Sequence, residues 1–426
     1  MMQTIKKINK VKGELTLPGD KSISHRSVFF SSLAKGTSKI VNLLESEDSL
    51  STINCFRNLG CSIHKIDEEY IVEGNGLHGL TKPDKILDAG NSGTTARLIS
   101  GILASQKFES NLIGDSSLSK RPMKRVVEPL REMGAVIELS NDQYLPAKYL
   151  PSKSLHAIVY EMKVASAQVK SAILLAGLHL DDETTVIEKD HTRDHTERML
   201  NCRIEEVENK KLIHVSQKNY PVARDYVIPS DISTAAFFIV LTMLSESSEL
   251  QLKDVSLNPS RTGIIEVLQS MGGLIKLENQ RTVAGEELGD IIVKSSQLKN
   301  IKIDHTIIPN IIDEIPILSI AGIFAQGIFE IRGVEELRFK ESDRIKSLCD
   351  NFIKLGLEVS EYEDGFSING DIKTKPTFFE SFGDHRIAMA FAVLSSLVFD
   401  ESQIKDFDCV SISNPNFLQQ LNYIAG

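Results

Sequence analysis

Four basic residues stand where an α-helix would rather have acids. Lys21 and Arg26 lie in the first turns of the run starting at Asp20 (DKSISHRSVFFSSLA), Arg97 follows Asn91-Ser92-Gly93-Thr94, and Arg386 follows Asp384-His385. A helix start exposes unpaired N–H groups and the positive end of the dipole, so a cation there costs about 0.3–1 kcal/mol. Repeated beside small polar residues, that cost points to an anionic ligand, with phosphate the natural choice. Two more segments carry alternating charge into a helix: Ser119-Lys120-Arg121-Pro122, and Arg338-Phe339-Lys340-Glu341-Ser342-Asp343-Arg344. Glu341, beside Lys340 and Arg344, would be kept ionised by its neighbours, either as a poised base or as their structural partner.

The elements that must position these residues recur. Polar clusters followed by a nearly unbroken apolar run begin at Asp20, Asn91, Ser166, Asp231, Asp313 and Asp384, at intervals of 71, 75, 65, 82 and 71 residues. That period is too long for a solenoid. A second series of amphipathic helices stops at Gly60, Gly134, Gly272 and Gly356, each before a β-branched or aliphatic stretch, as a left-handed helix stop requires. One copy of that signal is missing, around Met199 to Ile204. Each unit of about 70 residues therefore reads as strand, helix, strand, helix, then strands. Six units fill the chain, with a break near Tyr226 to Ser230, where Pro229 separates the third unit from the fourth. A first helix that is apolar all round belongs inside, whereas strands such as Tyr70 to Glu73 or Ile291 to Lys294 alternate and could face water on one side. The expected architecture is α/β, in two domains of three units, with helices buried and sheets outside.

The chain has 426 residues and a net charge of −10, which argues against a generally basic nucleic-acid binder. The longest apolar run, Ile387 to Leu394, falls well short of the ~18 residues a membrane span needs, and no secretory signal opens the sequence. Five scattered cysteines without a C-x-x-C pair read as reduced cytoplasmic thiols. Several motifs fail on context. Gly74 to Gly79 spells G-x-G-x-x-G but runs into Thr81-Lys82-Pro83-Asp84, so it is a turn. Gly19-Asp20-Lys21-Ser22 lacks the spacing of a phosphate-binding P-loop. His191 and His195 are four apart but have no third ligand for zinc. No G-x-S-x-G elbow supports acyl-enzyme chemistry.

Eight motifs in order, PGDKSISHR (Pro18 to Arg26), GNSGTTAR (Gly90 to Arg97), KRPM (Lys120 to Met123), SAQVKSA (Ser166 to Ala172), TRDHTE (Thr192 to Glu197), DEIPIL (Asp313 to Leu318), KESDR (Lys340 to Arg344) and GDHRIAM (Gly383 to Met389), closely resemble the 5-enolpyruvylshikimate-3-phosphate synthase family. The resemblance spans almost the whole chain. It implies an inside-out α/β barrel of six βαβαββ repeats, with residues 19–228 as one domain, residues 1–18 plus 229–426 as the other, and the active site in the cleft between them. It also implies transfer of the enolpyruvyl group of phosphoenolpyruvate to the 5-hydroxyl of shikimate 3-phosphate, with release of phosphate and without metal or organic cofactor. The expected partners are these two small molecules, the expected state a monomer, and the expected location the cytoplasm.

Carried over by motif, Lys21, Ser22, Arg26, Ser166, Ala167, Gln168, Arg193, Asp313 and Lys340 look like contacts of shikimate 3-phosphate. Lys21, Gly93, Arg121, Gln168, Arg344 and Arg386 look like contacts of phosphoenolpyruvate. Asp313, Glu341 and Lys21 are the catalytic candidates: addition needs a base at the hydroxyl and a proton for the methylene carbon. The ligands' two phosphates and two carboxylates bring about −5 to −6 of charge, met by Lys21, Arg26, Arg121, Arg193, Lys340, Arg344 and Arg386. Two halves that repel when empty and are bridged by ligand would explain closure.

The chain departs from the family pattern in places. Ile412-Ser413-Asn414-Pro415 lacks the basic residue some members carry there, Ala167 stands for a second serine, with Arg193 expected to compensate, and Leu98 replaces a proline found in another branch. The related UDP-N-acetylglucosamine enolpyruvyl transferases place a cysteine five residues before Arg121, where this chain has Ser116. Gly93 leaves room for glyphosate that an alanine would crowd. A non-catalytic anion-binding scaffold would have no use for Asp313, Glu341 and Lys21 together.

Overall fold

The computed structural model describes residues 2–152, 154–190 and 192–426. Six helices follow the six polar clusters: Lys21–Leu33, Gly93–Ala104, Ala167–Gly177, Ile232–Leu244, Ile315–Phe324 and His385–Val398. Their composition leaves no face for water, and burial follows; in Ile232–Leu244 every residue but Leu244 is buried. The clusters act as caps. Asp20 accepts from the Ile23 N–H at 2.9 Å, Ser92 from Thr95 at 3.1 Å, Ser166 from Val169 at 3.4 Å, Asp231 from Ser233 at 2.7 Å and Asp384 from Arg386 at 2.9 Å. Each such cap is worth about 1 kcal/mol to its helix. Glu314, at the equivalent place in the fifth helix, makes no side-chain cap.

The amphipathic series also forms, as Glu47–Asn58, Lys124–Glu132, Gly263–Ser270 and Arg344–Lys354. Gly60, Gly134, Gly272 and Gly356 all take positive φ just beyond them. The missing copy is the short helix His195–Met199, and there Asn201 adopts φ 51° in glycine's stead. Asparagine is the residue that best tolerates that conformation after glycine, which is why a glycine search passes it by.

By its contacts the chain divides into two compact units. One holds Gly19–Ile228 and Thr282–Glu286; the other holds Met1–Pro18, Pro229–Arg281 and Glu287–Gly426. The five residues Thr282–Glu286 thus depart from the expected division; within them Glu286 meets His195 and Gly285 lies close against the backbone of Arg198. Each unit has its own apolar core.

In the first unit three four-stranded sheets share one pattern: a short strand parallel to a second, which pairs antiparallel with a third and it with a fourth. They are Tyr226–Val227, Lys35–Val41, Glu69–Asn75 and Ser62–Ile66; Leu87–Asp88, Ser110–Ile113, Tyr144–Leu150 and Val136–Ser140; and Val159–Glu161, Thr184–Glu188, Lys210–Val215 and Arg203–Val207. Alternation shows in Tyr144–Leu150, whose Leu145, Ala147 and Tyr149 are buried between less buried neighbours. The second unit is less regular. Lys12–Thr16 lies parallel to Glu249–Ser256 and Met2–Lys6 pairs antiparallel with Glu401–Lys405, so two of its three sheets borrow strands from the N-terminus. The last unit departs from the expected strand ending and closes with the helix Phe417–Ile424. The fold is mixed α/β. All five cysteines are free thiols, and among the described residues no single helix is long and apolar enough to cross a membrane.

Candidate active site

In the first unit the nominated residues gather on the starts of its three buried helices and on two loops. Lys21, at the start of its helix, pairs with Asp48 at 2.5 Å. Arg26, five residues on, is buried: Nε donates to Thr196 Oγ1 at 2.7 Å, Nη2 to Ser171 Oγ at 3.0 Å and Nη1 to the Ser22 carbonyl at 3.1 Å. Burial pushes its pKa down to about 10, with Glu197, Glu286 and Asp20 opposing that fall and Arg193 adding to it. Arg193 therefore lies within electrostatic reach of Arg26, half-buried in its loop. The rest of TRDHTE anchors that loop. Thr192 donates to Glu188 at 2.5 Å, Asp194 pairs with Arg198 at 2.7 Å, His195 meets Glu286 at 2.8 Å and Glu197 takes Lys170 at 2.6 Å. His191 lies outside the described residues, and His195 is buried against a carboxylate, so the pair offers no zinc site among the residues described.

On the second and third helix starts, Gln168 accepts from Arg97 Nη1 at 2.5 Å and donates to Thr94 Oγ1 at 3.2 Å, while Arg121 donates to Asn91 Oδ1 at 3.1 Å. Gly93 sits among them: a Cβ there would come 2.9 Å from Arg97 Nη1 and 3.8 Å from Arg121 Nη1. Ser166 and Ala167 are half-buried beside Gln168, Ser166 holding the cap. Behind them runs a hydrogen-bond chain from His25 Nδ1 to Thr52 at 2.7 Å, Thr52 to Thr95 at 2.7 Å and Thr95 to Ser92 at 2.8 Å.

In the second unit all five nominated residues come together. Asp313 has Arg344 Nη1 at 3.3 Å, Arg386 Nη2 at 3.7 Å and Lys340 Nζ at 3.9 Å, and its carbonyl accepts from Arg386 Nη1 at 2.9 Å. Glu341 holds Arg344 Nη2 at 2.6 Å, and Asp384 holds Arg344 Nε at 2.7 Å. Burial alone would lower Arg344's pKa, but Asp384, Glu341 and Asp313 outweigh it and raise it. The expected excess of positive charge is absent here: Lys340, Arg344 and Arg386 already face Asp313, Glu341 and Asp384. Repulsion between empty halves therefore loses its footing in this unit, because an uncompensated buried arginine would cost more than the pairing. Glu314, buried, bonds Ser233 and lies 3.6 Å from Arg386 and 3.7 Å from Arg261.

Asp48 in the first unit, and Glu314 and Asp384 in the second, join these clusters without having been nominated. Asp48 gave no signal, since an acid in a first helical turn is ordinary capping chemistry. Asp384 stood in a motif as the start of a polar cluster, and it both caps its helix and holds Arg344.

Each unit thus gathers cationic and hydrogen-bonding side chains of the kinds that suit phosphate and carboxylate groups, and the second unit adds the carboxylates Asp313 and Glu341. The chain matches the family EPSP synthase (3-phosphoshikimate 1-carboxyvinyltransferase) over residues 5–421. The chain belongs to the EPSP synthase family. It is 46% identical to the 3-phosphoshikimate 1-carboxyvinyltransferase of Alkaliphilus metalliredigens over 424 residues, covering 100% of both chains, and 46% identical to that of Petrotoga mobilis over 415 residues, 96% of each. Among solved structures, EPSP synthase from Acinetobacter baumannii superposes with a TM-score of 0.89 at 41% identity, over 100% of this chain and 98% of that one. The enolpyruvyl transferase NikO from Streptomyces tendae shares the fold, with a TM-score of 0.75 at 14% identity over 99% and 97%. Membership in the EPSP synthase family makes this chain a transferase.

Proposed function

We propose that the two clusters are halves of one active site, completed when substrates engage both, and that the sheets and buried helices are six copies of one βαβαββ unit, three per domain, in an inside-out barrel. The reaction is the family's: the enolpyruvyl group of phosphoenolpyruvate passes to the 5-hydroxyl of shikimate 3-phosphate and phosphate leaves, a step of the shikimate pathway. In this reading Lys21, Ser22, Arg26, Ser166, Ala167, Gln168 and Arg193 receive shikimate 3-phosphate, joined by Asp313 and Lys340. Lys21, Gly93, Arg121, Gln168, Arg344 and Arg386 receive phosphoenolpyruvate.

Asp313 takes the proton of the 5-hydroxyl as its oxygen bonds to C2 of phosphoenolpyruvate, and Lys21 or Glu341 delivers a proton to C3. The tetrahedral adduct then breaks its C2–O bond to phosphate while a methyl proton returns to the protein, restoring the double bond. Arginines suit both anionic groups because the guanidinium fork grips two oxygens at once. The observation that carries the reading is Asp313, a half-buried carboxylate with three cations within 4 Å.

The test is phosphate release from phosphoenolpyruvate, measured with shikimate 3-phosphate and separately with UDP-N-acetylglucosamine. Release with the first only is expected; release with the second only, or with neither, overturns the reading. In Asp313→Ala, turnover should fall about 10²–10⁴-fold while shikimate 3-phosphate still binds. Near-normal turnover removes Asp313 from the mechanism.

A further inference from the structure

Lys170 is the one charged residue of the helix Ala167–Gly177, and its side chain is 0% exposed. Its ammonium lies 3.0 Å from Glu188 and 2.6 Å from Glu197, themselves 1% and 0% exposed. Burial would lower the pKa of Lys170, yet the pull of Glu197 and Glu188 outweighs it and raises it. Such a group seldom repays its desolvation compared with packed apolar side chains, so stability is a poor account of it.

Its connections supply a better one. Lys170 is one turn beyond Ser166 on the helix Ala167–Gly177, and residues four apart share a face. Glu188 ends the strand Thr184–Glu188, and Glu197 lies in the helix His195–Met199. The segment between the two glutamates carries Arg193. Glu188 also accepts from Thr192 at 2.5 Å, and Glu197 has Lys211 at 3.5 Å. Thr196, beside Glu197, accepts from Arg26 and bonds Ser171 at 2.7 Å. Glu197 is also the carboxylate that does most to keep buried Arg26 charged.

We propose that Lys170 is a positioning residue for shikimate 3-phosphate: by holding Glu188 and Glu197 it pins both ends of the loop that presents Arg193 and, through Thr196, fixes the guanidinium of Arg26. This rests on the assignment of Arg26 and Arg193 to that substrate. The lysine touches no ligand; it joins three elements whose outer ends do.

Lys170→Met keeps the bulk and removes the charge. In that variant the KM for shikimate 3-phosphate should rise about 10- to 100-fold, as displaced binding groups do, while kcat and the KM for phosphoenolpyruvate stay within about threefold. Lys170→Arg, which keeps a donor for both glutamates, should recover most of the loss. Equal rises in both KM values, or an unchanged KM for shikimate 3-phosphate in folded Lys170→Met, overturns the proposal. If Lys170→Met does not fold, Thr192→Val decides, since it loosens only the Glu188 end: a raised KM for shikimate 3-phosphate supports the proposal and an unchanged one overturns it. Wild-type protein that releases no phosphate with shikimate 3-phosphate would instead sink the functional reading itself.

Discussion

Lowering the pH should loosen the unit containing Gly19–Ile228, through two histidines that cannot take a proton while it is folded. His25 is fully buried, with Nδ1 on Thr52, and His179 is buried with Nδ1 on the Leu175 carbonyl at 3.2 Å and its ring edge-on to Tyr220. Burial pushes the pKa of His25 down to about 3, opposed by Asp48 and assisted by Lys21 and Arg26. Burial likewise pushes His179 down to about 4, opposed by its backbone hydrogen bond. In the unfolded chain both return to about 6.5. Their folded pKa values are depressed, so the folded state is fully favoured above pH 6.5 and loses ground as pH falls toward 4 and 3, because only the unfolded chain binds the protons. At about 1.4 kcal/mol per unit for each proton, the change from pH 7 to pH 5 costs about 2 kcal/mol per histidine and about 4 kcal/mol in all. That is a large share of the roughly 5–15 kcal/mol that stabilises a domain. The chain has no tryptophan, and six of its eight tyrosines (Tyr70, Tyr144, Tyr149, Tyr160, Tyr220 and Tyr226) lie in this unit, so tyrosine absorbance during urea unfolding reports mainly on it. His25→Gln should halve the acid loss over that window, and His25→Gln with His179→Gln should nearly abolish it. Ordinary carboxylates titrate below the window and do not contribute. Acid sensitivity in His25→Gln as steep as in the wild type would refute the reasoning.

Gly93→Ala should press the new methyl into the guanidinium of Arg97 and cost the hydrogen bond to Gln168, raising the KM for phosphoenolpyruvate about tenfold; steady-state kinetics would show it. Asp384→Asn keeps an oxygen to cap its helix but strips Arg344 of its main counter-charge, so it should cost about 2 kcal/mol in the unit Pro229–Arg281 plus Glu287–Gly426, read by hydrogen exchange, and lower turnover. Burial pushes the thiols of Cys55, Cys202 and Cys349 up to about 12 and those of Cys61 and Cys409 up to about 11, and only Cys409 is partly exposed. Native protein at pH 8 should therefore show no more than one thiol reacting promptly with a disulfide reagent, and denatured protein all five.

The cations at helix starts were legible because they offend local electrostatics, and an offence of that kind asks for a ligand. The starts themselves were legible because Asp20, Ser92 and Asp231 are cap residues before apolar runs. What the spacing could not convey was pairing at long range. Met2–Lys6 finds its partner at Glu401–Lys405, across nearly the whole chain, and nothing local announces it. Asp48 and Glu314 belong to helix starts by type, and only the fold sets them against Lys21 and Arg386. Lys170 did carry a signal, a lone charge in the apolar stretch after Ser166, but an isolated lysine on a helix is so often solvated that the pattern passes for surface. The expectation of halves that repel when empty has the same weakness: it weighs the bases of each motif and leaves out Asp384, which reaches Arg344 from 40 residues away.

The five residues Thr282–Glu286 make the backbone pass between the two units four times instead of two. Modularity is the casualty. A fragment ending at Ile228 would hold all three four-stranded sheets of that unit and still leave His195 without Glu286, its acceptor from another part of the gene. The half containing Gly19–Ile228 is thus stitched to a later stretch of the chain, and a cut at Pro229 takes from it the five residues it owns beyond that point.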